Sequence, residues 1–266
     1  MKLLDIIVLS HERPDYLKEM LESLKPLSRC KDTIDIKVVD NSLHSKQKIQ
    51  CIVNKAGAMV TVFKQEPGVS QKDNYVNALE VAKAEYLMLI HDDDVVMVNC
   101  AYKLIDSLKR FKGDLGYLKS INMPRDQGGR STSFCDDFYI SHDTIYLRLW
   151  PHKLPAFPAW IYRNSKSLNI FSAMLSSEMY GKYSDIPIIF ALAAKAKKIE
   201  LMPGMVYCCR NHQGQDSELV HEREFSNVLR DYGKLGRVRI SFILLRIRLT
   251  KIVKYFVRRM PFCTLS

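Results

Sequence analysis

Short β-rich runs alternate with helical patterns through the first half of the chain, which predicts an α/β fold with a mostly parallel central sheet and helices on both faces. Two further observations support that class. The apolar runs ending at Ser10, Asp40 and Ile90 each pass straight into polar residues, as strands do at a ligand-binding sheet edge. With 266 residues and 47% hydrophobic content, the chain is long enough to bury one large core.

The first strand is "LLDIIVLS", Leu3 to Ser10, and the helix after it runs from Arg13 to Leu27 with Leu17, Met20, Leu21 and Leu24 on one face. "IDIKVVD", Ile34 to Asp40, forms the second strand, followed by a weaker helix over Ser45 to Lys55. "MVTVFKQ" is the third strand, "NYVNALEVAKA" a helix, and "YLMLIHDDD" the fourth strand. A helix over Asn99 to Phe111 precedes a Pro-, Gly- and aromatic-rich region, Gly113 to Ser167, that reads partly as loop. "SDIPIIFALAAKAKKIE", Ser184 to Glu200, is a helix with Pro187 in its first turn, and "LMPGMVYCC" is a final strand running into "RNHQGQDS". There is no internal repeat and no low-complexity tract.

The polar ends of three strands, Ser10 with His11, Asp40 with Asn41, and Asp92 to Asp94, converge on one sheet edge. Three adjacent aspartates repel one another and lose hydration when partly buried, so the cluster requires a compensating cation. Oxygen ligands suit Mg²⁺ or Mn²⁺ rather than zinc, and such an ion is completed by waters and substrate phosphates. A nucleoside diphosphate is therefore the expected ligand. The plainer alternative, a solvated turn capping the next helix, explains one aspartate better than three. Asp40 and Asn41 carry a second reading as an Asx-turn.

In this order, "VLSHERPDYLKEMLESL", "VVDNS", "LMLIHDDDVV" and "YSDIPIIFALAAKAKKIELMPGMVYCCRNHQGQDS" resemble the family-two glycosyltransferases of the GT-A, Rossmann-like fold, over roughly Leu3 to Ser217. The resemblance implies an inverting, metal-dependent transfer from a nucleotide-sugar donor, expected to be UDP-linked. It places Ser10, His11, Glu12, Asp40, Asn74, Asp92, Asp93 and Arg210 at the nucleotide, Asp94 and His212 at Mn²⁺ or Mg²⁺, and Asp185 as the general base. The family often has an aromatic where His11 stands and an arginine before the asparagine, where this chain has Lys72 and Asp73 before Asn74. Asp185 also reads as a helix N-cap, with Glu178 as reserve base, and His212 as a structural histidine. Trp150 and Trp160 read either as packing anchors or as a platform for an acceptor sugar. A sugar-phosphate nucleotidyltransferase would show a glycine-rich loop after the first strand, and "LSHERPDYL" has no glycine.

The expected organisation is a transferase domain over 1–217, with a nucleotide-sugar half to about 112 and an acceptor half from about 113, then a tail over 218–266. Much of the net charge of +11 lies in that tail: from Gly236 onward there is no acidic residue. Phe242, Leu245, Leu249, Ile252, Val253 and Phe256 recur at spacings of three and four, with arginines and lysines largely opposite. A basic amphipathic helix of this kind is read as resting on an anionic membrane surface, or as packing on its own domain. With the resemblance, it points to a lipid-linked saccharide acceptor in surface polysaccharide (O-antigen or capsule) synthesis. The localisation expected is cytoplasmic, peripheral on the inner face of the plasma membrane; seven dispersed cysteines without metal-finger spacing fit a reducing compartment. The first ten residues are too briefly apolar for a signal peptide. No nucleic-acid module is recognised, and a non-catalytic membrane-surface protein stands as the alternative function.

Overall fold

The computed structural model describes residues 2–57, 60–67, 69, 71–123, 156–164, 185–210 and 227. The tail expected over 218–266 lies outside the described residues apart from Asn227.

Strands β1 (Leu4–Ser10), β2 (Ile34–Asp40), β3 (Val60–Lys64), β4 (Tyr86–His91), β5 (Val95–Val98), β6 (Leu115–Met123), β7 (Trp160–Arg163) and β8 (Ile199–Arg210) form one sheet in the order β3-β2-β1-β4-β7-β6-β8-β5. The pairs β1–β2, β1–β4, β2–β3 and β6–β8 are parallel; β4–β7, β6–β7 and β5–β8 are antiparallel. The helices are α1 (Pro14–Leu24), α2 (Lys46–Ala56), α3 (Gln71–Glu80), α4 (Ala101–Arg110) and α5 (Asp185–Lys195).

Because side chains alternate across a strand, the central strands divide their residues between two cores. Ile6 and Val8 of β1 and Met88 and Ile90 of β4 face one side, packed with Leu17, Met20 and Leu24 of α1, Ile49 and Val53 of α2, and Leu104, Ile105 and Leu108 of α4. Ile7 and Leu9 of β1 and Leu87 and Leu89 of β4 face the other, with Tyr75, Ala78 and Leu79 of α3 and Ile188, Ile189 and Leu192 of α5. Helices therefore cover both faces, as expected from the alternation of elements.

The structure adds to or adjusts the expected elements in three places. The region beyond Gly113, read partly as loop, contains β6 and β7. A four-residue strand, β5, follows the aspartates before the next helix. The last helix ends at Lys195, and the chain has turned and entered β8 by Ile199. Strand β8 shifts register against β6 between Tyr117 and Lys119, and Gly204 occupies the irregularity with φ +98°. A Cβ there would lie 2.4 Å from the Cys100 carbonyl oxygen, so only glycine fits without displacement. The Gly204 carbonyl accepts from the amides of Asn99 and Cys100, both at 2.9 Å, which fixes the entry to α4.

Among the described residues, no helix is long and apolar enough to cross a membrane.

Candidate active site

Strand β1 lies between β2 and β4, and the register sets Ser10 opposite Asp40 and Leu9 opposite His91. The polar ends of three strands are therefore level at one sheet edge. This is where strand order reverses, the position at which open α/β sheets bind ligands.

On the β2 side, the turn after β1 is built around Glu12, a non-glycine residue with φ +54°. Its carboxylate accepts from the amides of Leu43 (2.5 Å), His44 (2.8 Å) and Ser45 (3.0 Å), and its own amide donates to Ser42 Oγ at 2.7 Å. These contacts offset the unfavourable backbone conformation. The His44 amide leads the donors that hold the Glu12 carboxyl down at about 2. Glu12, expected at the nucleotide, thus has its carboxylate committed to ordering the loop before α2. The Asp40 carboxylate accepts from the amide and hydroxyl of Ser42 at 3.1 and 2.6 Å, which is the Asx-turn reading of that residue.

Asn41 Nδ2 donates to the Val69 carbonyl at 3.2 Å, which orients the amide and turns Oδ1 toward His11 Nδ1 at 2.9 Å. An amide oxygen only accepts, so Nδ1 of His11 carries the proton. The imidazole is thereby held at the sheet edge, beside Asn41. Asn74, at the start of α3, is 6% exposed and its Oδ1 has no hydrogen-bond partner among the described residues. A buried, unused acceptor of this kind is a candidate ligand contact.

On the β4 side, Asp92, Asp93 and Asp94 are 0%, 7% and 6% exposed, which rules out a solvated turn. Asp92 accepts from the His11 amide at 3.0 Å, and Arg13 Nε lies 3.2 Å from its other oxygen, an ion pair off hydrogen-bond geometry. Burial pushes the Asp92 carboxyl up to about 7 against the pull of Arg13 and the His11 amide. Asp93 is hydrogen-bonded to Arg13 Nη1. Asp94 takes the Tyr207 hydroxyl on one oxygen and the Arg210 amide, at 2.7 Å, on the other. Burial raises its pKa; the nearby His91 and those two donors oppose the rise.

One ligand atom each from His91, Asp93 and Asp94 lie within 4.8 Å of one another. Two carboxylates and an imidazole are a reasonable donor set for a divalent cation. Of the two ligands expected, Asp94 belongs to this set and His212 lies outside the described residues; His91 and Asp93 could serve beside Asp94, and Tyr75 anchors His91 through a 2.6 Å contact between its hydroxyl and Nε2.

Arg210, expected at the nucleotide, places its guanidinium on α1, hydrogen-bonded to Glu19 and 4.6 Å from the Tyr16 ring centroid. Asp185 is the first residue of α5. His212, Glu178, Ser184 and Trp150 lie outside the described residues. Trp160 is fully buried beside Tyr117, with ring centroids 5.6 Å apart, so it is a packing anchor and not a sugar platform. Arg13, His91 and Tyr207 are the site residues that sequence reasoning passed over. His91 adjoined the aspartates and Arg13 followed the first polar turn, so a signal was present for both.

The sequence model of Glycosyl transferase family 2 matches residues 5–170, and the chain belongs to that family. It is a glycosyltransferase with a GT-A fold, which sets aside the nucleotidyltransferase alternative. No curated protein matches it in sequence. Residues 1–349 of S. aureus TarS, solved in complex with UDP-GlcNAc, superpose with a TM-score of 0.64 at 18% identity, covering 86% of this chain and 65% of that one. The same fragment with UDP gives 0.61 at 17% identity, covering 90% and 68%. A further S. aureus TarS structure gives 0.62 at 16% identity, covering 92% of this chain and 42% of the other, so this chain spans under half of that length.

Proposed function

We propose that this glycosyltransferase transfers a sugar, with inversion, from a UDP-linked donor to a lipid-linked saccharide acceptor in cell-surface polysaccharide synthesis, using Mn²⁺ or Mg²⁺. The carrying observation is the convergence of His91, Asp93 and Asp94 at the carboxyl end of β4, beside His11 and Asn41. A family relation and the fold shared with a protein solved with UDP-GlcNAc support the donor class. The lipid-linked acceptor and the attachment to the inner membrane face rest on the basic amphipathic pattern of the tail.

Ser10, His11, Asn41 and Asn74 would hold the nucleoside, with Asp40 bracing the turn beneath it. His91, Asp93 and Asp94 would hold the cation, with His212 a further candidate ligand, and the imidazole tilts the choice toward Mn²⁺. When bound, the cation supplies charge neutralisation for the departing diphosphate. Asp185 accepts the proton of the acceptor hydroxyl as its oxygen bonds to the anomeric carbon; the bond from that carbon to the diphosphate breaks, and its electron pair leaves with the nucleotide.

The test is thermal stabilisation by UDP, GDP and dTDP, each with and without Mn²⁺, in the full chain and in Asp93→Ala. Ligand at about 100 times its dissociation constant stabilises by ~2.7 kcal/mol. A UDP response that requires Mn²⁺ and vanishes in the variant is the expected result. A folded protein indifferent to all three nucleotides would sink the donor assignment.

A further inference from the structure

We infer that Arg13 is a resident counter-ion for Asp92 and Asp93 that yields Asp93 to an arriving metal, so that metal and nucleotide binding are coupled through one guanidinium. The inference rests on the metal and donor assigned under Proposed function.

Arg13 precedes α1, and its carbonyl accepts the Leu17 amide at 3.0 Å, so its backbone is fixed by the first helical turn. Its side chain caps nothing in that helix. It reaches instead across to the end of β4, with Nε 3.2 Å from Asp92 and Nη1 hydrogen-bonded to Asp93. The two carboxylates differ in their other partners. Asp92 is wholly buried and also receives the His11 amide, whereas Asp93 belongs to the set that can hold a cation.

A guanidinium and a divalent cation on one carboxylate repel each other. The arginine side chain is 37% exposed and retains a path outward, which the buried aspartates lack. A diphosphate is the partner its planar fork suits best. Metal entry therefore frees Arg13 for the nucleotide, and the nucleotide, by engaging Arg13, leaves Asp93 to the metal. Each ligand must strengthen the other by the same factor.

Mn²⁺ binding can be read without turnover, from the loss of the free-ion electron paramagnetic resonance signal, in the full chain and in Arg13→Gln and Arg13→Lys, with and without UDP. Without UDP, Arg13→Gln is expected to bind Mn²⁺ on the order of tenfold more tightly than the unaltered chain, and UDP to enhance its binding on the order of tenfold less. Arg13→Lys, which keeps the charge, should follow the unaltered chain and guards against a general loss of structure. Equal Mn²⁺ affinity and equal UDP enhancement in Arg13→Gln would overturn the inference, as would weaker binding, which would make Arg13 a support for Asp93. If the unaltered chain takes up no Mn²⁺ with or without UDP, the metal reading fails first and the inference falls with it.

Discussion

The hydroxyl of Tyr207 donates to the carboxylate of Asp94 across 113 residues of sequence, and both side chains are buried. Tyr207→Phe keeps the ring and removes the donor, leaving a buried carboxylate oxygen without it. We expect a loss of about 1.5–3 kcal/mol in stability by chemical denaturation, the range for a hydrogen bond to a charged group. An unchanged midpoint would mean that Asp94 is held by the Arg210 amide alone.

Tyr75 stands behind His91 as Tyr207 stands behind Asp94. If His91 is a ligand, its orientation depends on that 2.6 Å contact. Tyr75→Phe should weaken Mn²⁺ binding by about 10- to 100-fold while the far-ultraviolet circular dichroism stays the same. Full Mn²⁺ affinity in the variant would remove His91 from the ligand set.

Glu12 makes loop stability depend on pH. Its carboxyl is held at about 2 against an ordinary value of 4.5 by the amides of the loop after β2. A depressed carboxylate stabilises fully above its unfolded pKa and loses that contribution as pH falls through the folded value. The stability difference between the unaltered chain and Glu12→Gln should be constant near neutrality, shrink as pH falls below about 4.5, and vanish near pH 2. A difference that does not change with pH would show that the ionised carboxylate is not what holds residues 43–45.

Gly204→Ala combines a positive φ with a Cβ aimed at the Cys100 carbonyl. The expected destabilisation exceeds ~1 kcal/mol, read by thermal unfolding. Because the Gly204 carbonyl also holds the amides of Asn99 and Cys100 at the entry to α4, a neutral outcome would require β8 and α4 to separate without cost.

Asp185→Asn separates chemistry from donor binding. Loss of a general base lowers kcat by about 100- to 10,000-fold. Stabilisation by UDP with Mn²⁺ should be retained. Transfer at the unaltered rate would leave Asp185 with only its place as the first residue of α5.

Much of this arrangement was legible in the residues, and the gaps have physical causes. The fourth strand is a nearly continuous apolar run because both faces are covered, the first and second are apolar runs interrupted at Asp5, Asp35 and Lys37, and α1 shows its stripe at Leu17, Met20, Leu21 and Leu24. Strand β7 was hidden because it is four residues long and its antiparallel partners lie far off in sequence. Strand β5 was hidden by its position directly after the acidic turn. Gly116 in β6 looks like a loop residue, yet a Cβ there would meet Met202 at 2.9 Å, so it marks close packing. In the site, the acidic triplet announced itself by charge, and the need for a cation was clear. That Arg13 meets that need depends on the parallel pairing of β1 with β4, which local sequence does not encode. Asp40 and Glu12 show the reverse: polar residues at a ligand edge spend their oxygens on the backbone turns that shape it.

The long sequence separation between Asp94 and its hydroxyl donor also sets a time. At about 5–20 residues per second, a ribosome makes Asp94 roughly 6–23 s before Tyr207. During that interval the growing chain carries a buried-to-be carboxylate whose anchoring strand has not been made. Any product halted before β8 would possess the acidic triplet and the polar ends of β1 and β2 yet lack the support for Asp94. The support for Asp94 therefore arrives late in synthesis, well after the sheet's first four strands can pair.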